Sequence, residues 1–138
     1  MTEICLISGG AIFGVLGLLH AFYTLLDTKR PRRLAPDNPQ VLASMSSSFV
    51  RLSRGGSTMW RAWLGFNFSH SLGAILFCFM CIFLALHLPT LALPKAALLL
   101  PVAVGLIYFW LAILYWFYIP ATGIALGTIC LFIAWLVY

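Results

Sequence analysis

Carboxylates are nearly missing from this sequence: Glu3, Asp27 and Asp37 are the only three among 138 residues. Charged residues of both signs make up 8%, against about 25% in an average soluble domain. So few acids exclude an intramembrane acid–base pair of carboxylates. No Ser-His-Asp arrangement, phosphate-cradling glycine loop or metal-ligand spacing is present either, so the sequence reads as non-enzymatic and without a metal centre. The alternating pattern of about ten residues that marks an outer-membrane barrel strand is also missing. No charged residue lies deep within an apolar run, which argues against ion transport. Cysteine is confined to apolar segments as Cys5, Cys78, Cys81 and Cys130. The pair in Phe-Cys-Phe-Met-Cys sits in a run with no polar turn, and all four are read as small packing residues.

Apolar sequence is what the chain has in excess: 63% hydrophobic residues and a mean hydropathy of +1.05. Four stretches, 4–26, 62–88, 96–118 and 121–138, each approach the ~20 residues that cross ~30 Å of hydrocarbon. Inside lipid each must satisfy its own backbone amides, which favours helices. The expected fold is all-α, a single domain over 1–138 forming an integral membrane four-helix bundle. The first stretch has no positive leader and no small-x-small cleavage site before Asp27, so it is expected to stay attached.

Positive charge is concentrated. Lys29, Arg30, Arg32, Arg33, Arg51, Arg54 and Arg61 all lie between the first and second apolar stretches, and Lys95 is the one basic residue elsewhere. By the positive-inside rule the loop 27–61 is cytoplasmic and both termini lie on the opposite side. Arg30, Arg32, Arg33, Arg51 and Arg54 are candidates for anionic lipid headgroups, and nucleic acid is not an expected partner. Within the loop, Asp37-Asn38-Pro39 offers a helix cap with proline at the first helical position, and Gly55-Gly56 offers a stop. Val41, Met45, Phe49 and Leu52 recur between them at helical spacing, which predicts an interfacial helix. Ser57-Thr58 would cap the second long helix, and Tyr115 to Tyr118 before Ile119-Pro120 would end the third in an aromatic belt.

Small residues mark candidate packing faces. Gly10, Gly14 and Gly17 share one face of the first helix, and Gly123 and Gly127 form a GxxxG spacing in the fourth. In Trp-Arg-Ala-Trp-Leu-Gly-Phe-Asn-Phe-Ser-His-Ser-Leu-Gly, residues 60–73, helical phase separates Gly65, Ser69 and Gly73 from Trp63, Asn67, His70 and Ser71. The first group is expected to be a packing seam. The second puts amide and imidazole groups into hydrocarbon, where they need partners. His20 is the expected partner: it lies seven residues before Asp27, and His70 lies nine after Arg61, so both sit at similar depth.

Three uses of His20, Asn67, His70, Ser71 and Trp63 remain open. They can be polar glue between helices. They can floor a pocket for a lipid, isoprenoid or quinone walled by Trp63, Phe66, Tyr108 and Trp110. His20 and His70 can also ligate a b-type haem.

Gly-Leu-Leu-His-Ala-Phe-Tyr around His20, the short basic loop and Gly-Phe-Asn-Phe-Ser-His-Ser-Leu-Gly from Gly65 to Gly73 resemble a family of small bacterial four-helix membrane proteins. In architecture the chain also looks like the broader DoxX-like group. The resemblance covers about half of the chain. It implies the fold and a bacterial inner membrane, and carries no activity. Four-helix proteins of the sterol-isomerase type share the architecture, but their acidic catalytic residues have no counterparts here. The expected function is an accessory or interaction component that packs with other transmembrane subunits or with copies of itself.

Overall fold

The computed structural model describes all residues from Met1 to Tyr138. The chain is helical throughout: α1 (Thr2–Lys29), α2 (Pro39–Ser47), α3 (Met59–Leu91), α4 (Leu99–Tyr115) and α5 (Tyr118–Leu136), with short 3-10 turns at Arg51–Ser53 and Lys95–Leu98. Four segments, Thr2–Lys29, Met59–Leu91, Lys95–Tyr115 and Tyr118–Leu136, are long and apolar enough to cross a membrane. That is the signature of a multi-pass membrane protein. The chain divides into two compact units, one of residues 1–16 and 74–138, the other of residues 17–73. Both α1 and α3 contribute a half to each.

In the larger unit, close backbone approach is made possible by missing side chains. A Cβ on Gly10 would lie 2.6 Å from the Cys81 Cβ, and one on Gly14 would lie 2.7 Å from the Cys78 Sγ. The two cysteines are therefore the ridge that fits the glycine groove, which is the packing role expected of them. A Cβ on Gly127 of α5 would lie 2.9 Å from the Phe13 ring, and one on Gly123 would lie 3.0 Å from Leu16. Phe13 in turn meets Phe77 and Tyr108 edge-on, at 4.9 and 5.7 Å between centroids. Dispersion between well-fitted surfaces is what holds helices together where water supplies no driving force.

The break between α4 and α5 is not at Pro120. Helix α4 ends at Tyr115, Phe117 is extended, and Tyr118 already begins α5. Pro120 falls inside the first turn of α5, where its missing N–H would have had no helical acceptor in any case. The Tyr115 to Tyr118 run is thus shared between two helices. Helix α1 also runs three residues beyond the expected 26, and α3 extends at both ends to include Met59 and Pro89.

In the smaller unit the Asn38 side chain caps α2 by accepting from the Gln40 amide at 2.9 Å, with Pro39 at the first helical position as expected. The helix is shorter than its apolar periodicity suggests. It stops at Ser47, leaving Phe49 and Leu52 beyond it. The reason is an antiparallel bridge between Phe49 and Thr58, flanked by Val50 N–H donating to Ser57 O and Met59 N–H to Ser48 O. The turn it closes places Arg54 and Gly55 at φ of 47° and 90°, a conformation that favours glycine. Thr58 then caps α3 by accepting from the Arg61 amide at 3.3 Å.

Candidate functional site

On α1, His20, Thr24 and Asp27 recur at helical spacing and share a face; on α3, Trp63, Asn67, His70 and Ser71 do the same. All seven lie within the smaller unit. Thr24, Asn67 and Ser71 are each 1% exposed and Asp27 is 0% exposed. Polar side chains buried to this degree in an apolar chain must exhaust their hydrogen-bonding capacity on one another or on the backbone. They do so: no buried side-chain nitrogen or oxygen lacks a partner.

The central bond joins His20 Nε2 to Asn67 Oδ1 at 2.8 Å. Its direction follows from the other end of the amide. Asn67 Nδ2 donates to the Trp63 carbonyl at 2.7 Å, and the opposite orientation would press two acceptors together. Oδ1 therefore faces the imidazole, and Nε2 carries the proton it donates. Thr24 Oγ1 donates to the His20 carbonyl and Ser71 Oγ to the Asn67 carbonyl, each at 2.8 Å. The His70 ring packs edge-on against His20 at 5.4 Å and lies nearly parallel to Phe66 at 6.3 Å.

Toward the loop, Asp27 is the second centre. Its Oδ1 accepts from the amides of Arg32 and Arg33 at 2.9 and 3.0 Å, and its Oδ2 accepts from Arg33 and Leu34 at 3.2 and 2.7 Å. Three consecutive backbone N–H groups converging on one carboxylate form a concave anion cradle. Leu34 also accepts through its carbonyl from Trp63 Nε1 at 2.9 Å. A continuous path of hydrogen bonds thus runs from Asp27 through Leu34, Trp63 and Asn67 to His20, and α1 closes the circuit.

This arrangement fixes which of the two expected faces of α3 is covered within the chain. The side bearing Asn67 and Ser71 is packed inside the chain, while Gly65 and Ser69 are exposed, and a Cβ on Gly65 would meet nothing within 4 Å. Burying the amide outweighs burying the glycine, since an unpartnered amide in hydrocarbon costs far more than an uncovered apolar face. Gly17 is buried and Gly73 half-buried. The expected aromatic walls divide as well: Phe66 and Trp63 flank the cluster, whereas Tyr108 packs on Phe13 and Phe77, and Trp110 is exposed. Arg30, Arg32, Arg33, Arg51 and Arg54 are all exposed, and Arg33 lies over the Tyr23 ring at 5.4 Å.

Bis-imidazole ligation of a haem needs two nitrogens opposed across a macrocycle. Here the two rings touch edge to face and His20 Nε2 is given to Asn67, so these side chains as placed do not form that clamp. The residue that sequence reasoning left outside the site is Asp27. Its signals were helical phase with His20 and Thr24 and its place as a lone acid at the end of an apolar helix, directly before a basic, proline-containing run.

Comparison with family models, curated proteins and solved structures finds no match to the chain.

Proposed function

We propose that the chain is a small, non-enzymatic polytopic membrane protein acting as an accessory or interaction component of a membrane assembly, built with other transmembrane subunits or with further copies of itself. The observation that carries this reading is the outward face of α3. Gly65 opens onto empty space and Ser69 is exposed, whereas Gly10, Gly14 and Gly127 are each covered within the chain. A small residue on an uncovered apolar helix face allows a second helix to approach closely. The polar cluster supports the same reading from the other side, because its donors and acceptors are spent on holding α1, the loop and α3 together. The charge asymmetry supports a cytoplasmic basic loop with both termini opposite, and the resemblance to small bacterial four-helix membrane proteins supports a bacterial inner membrane.

The test is native electrophoresis of the full chain extracted from its own membrane in mild detergent. A species larger than the monomer is expected, and Gly65→Leu, which has room within the chain, should dissociate it. A monodisperse monomer, or an assembly indifferent to Gly65→Leu, overturns the reading.

A second reading, binding of a lipid, isoprenoid or quinone, is favoured by the half-buried His70 ring at the edge of the cluster beside the exposed Phe66 and Trp63. An imidazole next to an aromatic strip suits a carbonyl-bearing apolar ligand. Mass spectrometry of organic extracts should then show a stoichiometric compound that is lost in His70→Ala.

A further inference from the structure

Seven of the eight cationic side chains lie between Lys29 and Arg61, and every one of the seven is exposed. Asp27, the acid nearest in sequence to Lys29 and Arg30, makes its hydrogen bonds to the main chain instead. Its carboxylate is turned inward and is occupied by the backbone amides of Arg32, Arg33 and Leu34. Those same bonds fix the main chain from which Arg32 and Arg33 project. Pro31 disfavours continuation of the helix beyond Arg30, Tyr23 supports the Arg33 guanidinium, and Trp63 holds the end of the segment through Leu34.

We propose that residues 29–34 form a binding site for the headgroup of an anionic phospholipid, and that Asp27 is its positioning residue. The proposal needs the protein to sit in a bilayer but does not depend on the assembly role above. A phosphodiester at the membrane surface is the occupant that fits. The segment directly continues a helix long and apolar enough to span, and guanidinium groups on a fixed backbone bind phosphate oxygens through paired N–H donors. A flexible basic loop would attract anionic lipid by charge alone. Here the cations are pre-arranged by an acid, and the two mechanisms make opposite predictions when that acid is removed.

The experiment reconstitutes the full chain in phosphatidylcholine bilayers with spin-labelled phosphatidylglycerol or spin-labelled phosphatidylcholine and measures the motionally restricted fraction of each. Phosphatidylglycerol should be preferred, and Arg30→Gln/Arg32→Gln/Arg33→Gln should reduce the preference by about fivefold or more, the scale of one basic residue at an anionic surface. Asp27→Asn and Asp37→Asn each add one unit of positive charge. Asp37 is exposed and makes no such bonds, so its variant should keep or raise the preference, whereas Asp27→Asn should lower it. Inorganic phosphate at constant ionic strength should not displace the lipid. Equal association of the two lipids, a preference that survives the triple substitution, a parallel response of the two aspartate variants, or displacement by phosphate overturns the proposal. If Asp27→Asn does not fold, the triple arginine variant decides.

Discussion

Trp63 donates its indole N–H to the carbonyl of Leu34 at 2.9 Å, across 29 residues of chain. Leu34 thereby uses both of its backbone groups at once, since its amide already donates to Asp27. One residue of the basic loop ties the end of α1 to the start of α3. The loop leaving the first long helix is therefore fastened at its beginning, and the helices it connects are held in register by its backbone.

The His20 to Asn67 bond should show a coupling of about 1 kcal/mol in a double-mutant cycle of His20→Phe and Asn67→Leu, the scale of polar bonds between helices in lipid. Unfolding of the four proteins in mixed micelles measures it. Strict additivity would mean that the bond holds nothing.

Removing the Asp27 carboxylate should release the amides of residues 32–34. Asp27→Ala takes away an acceptor of four hydrogen bonds from a residue that is 0% exposed. Hydrogen bonds to a charged group contribute roughly 1.5–3 kcal/mol each, so a loss of at least about 2 kcal/mol is expected. Amide hydrogen exchange should accelerate first at Arg32, Arg33 and Leu34, and unchanged protection there would contradict the cradle.

Two glycines should respond in opposite senses to the same substitution. At Gly10 a methyl group would collide with the Cys81 Cβ at 2.6 Å, and Gly10→Ala should destabilise by roughly 1–3 kcal/mol. Gly65 has open space within the chain, so in the dissociated monomer Gly65→Ala should stabilise α3 by up to about 1 kcal/mol. Thermal unfolding in detergent separates the two.

Ser47 lies at the exposed end of α2 and reports the side of the membrane on which the loop lies. A Ser47→Cys protein in intact cells should resist an external impermeant thiol reagent and react after permeabilisation. Labelling without permeabilisation would invert the orientation.

Much of the site could be read from spacing alone. His20 and His70 stand at matching distances from the basic loop, and an asparagine one turn before His70 on the same face needs a partner, so their meeting followed from depth and helical phase. What phase could not supply was its sign. It separates Asn67 and Ser71 from Gly65 and Ser69 but does not say which group faces inward within the chain. The start of α5 was misplaced because proline was read as a stop, although in a first helical turn it is a tolerated beginning. Asp27 stands in helical phase with His20 and Thr24, but phase says nothing of the backbone amides that it binds. Its burial depends on how the irregular chain of residues 32–34 folds back, and no repeat encodes that. The cap at Asn38 was local, two residues from donor to acceptor, and local patterns of that kind are the ones a sequence displays.

The helices also differ in length. Helix α3 has 33 residues and α5 has 19, which at 1.5 Å per residue is about 50 Å against about 28 Å. A hydrocarbon layer of about 30 Å accommodates α5 almost upright, while α3 must lean or carry its ends beyond the layer. Two apolar helices of one short chain thus match hydrocarbon layers of different thickness.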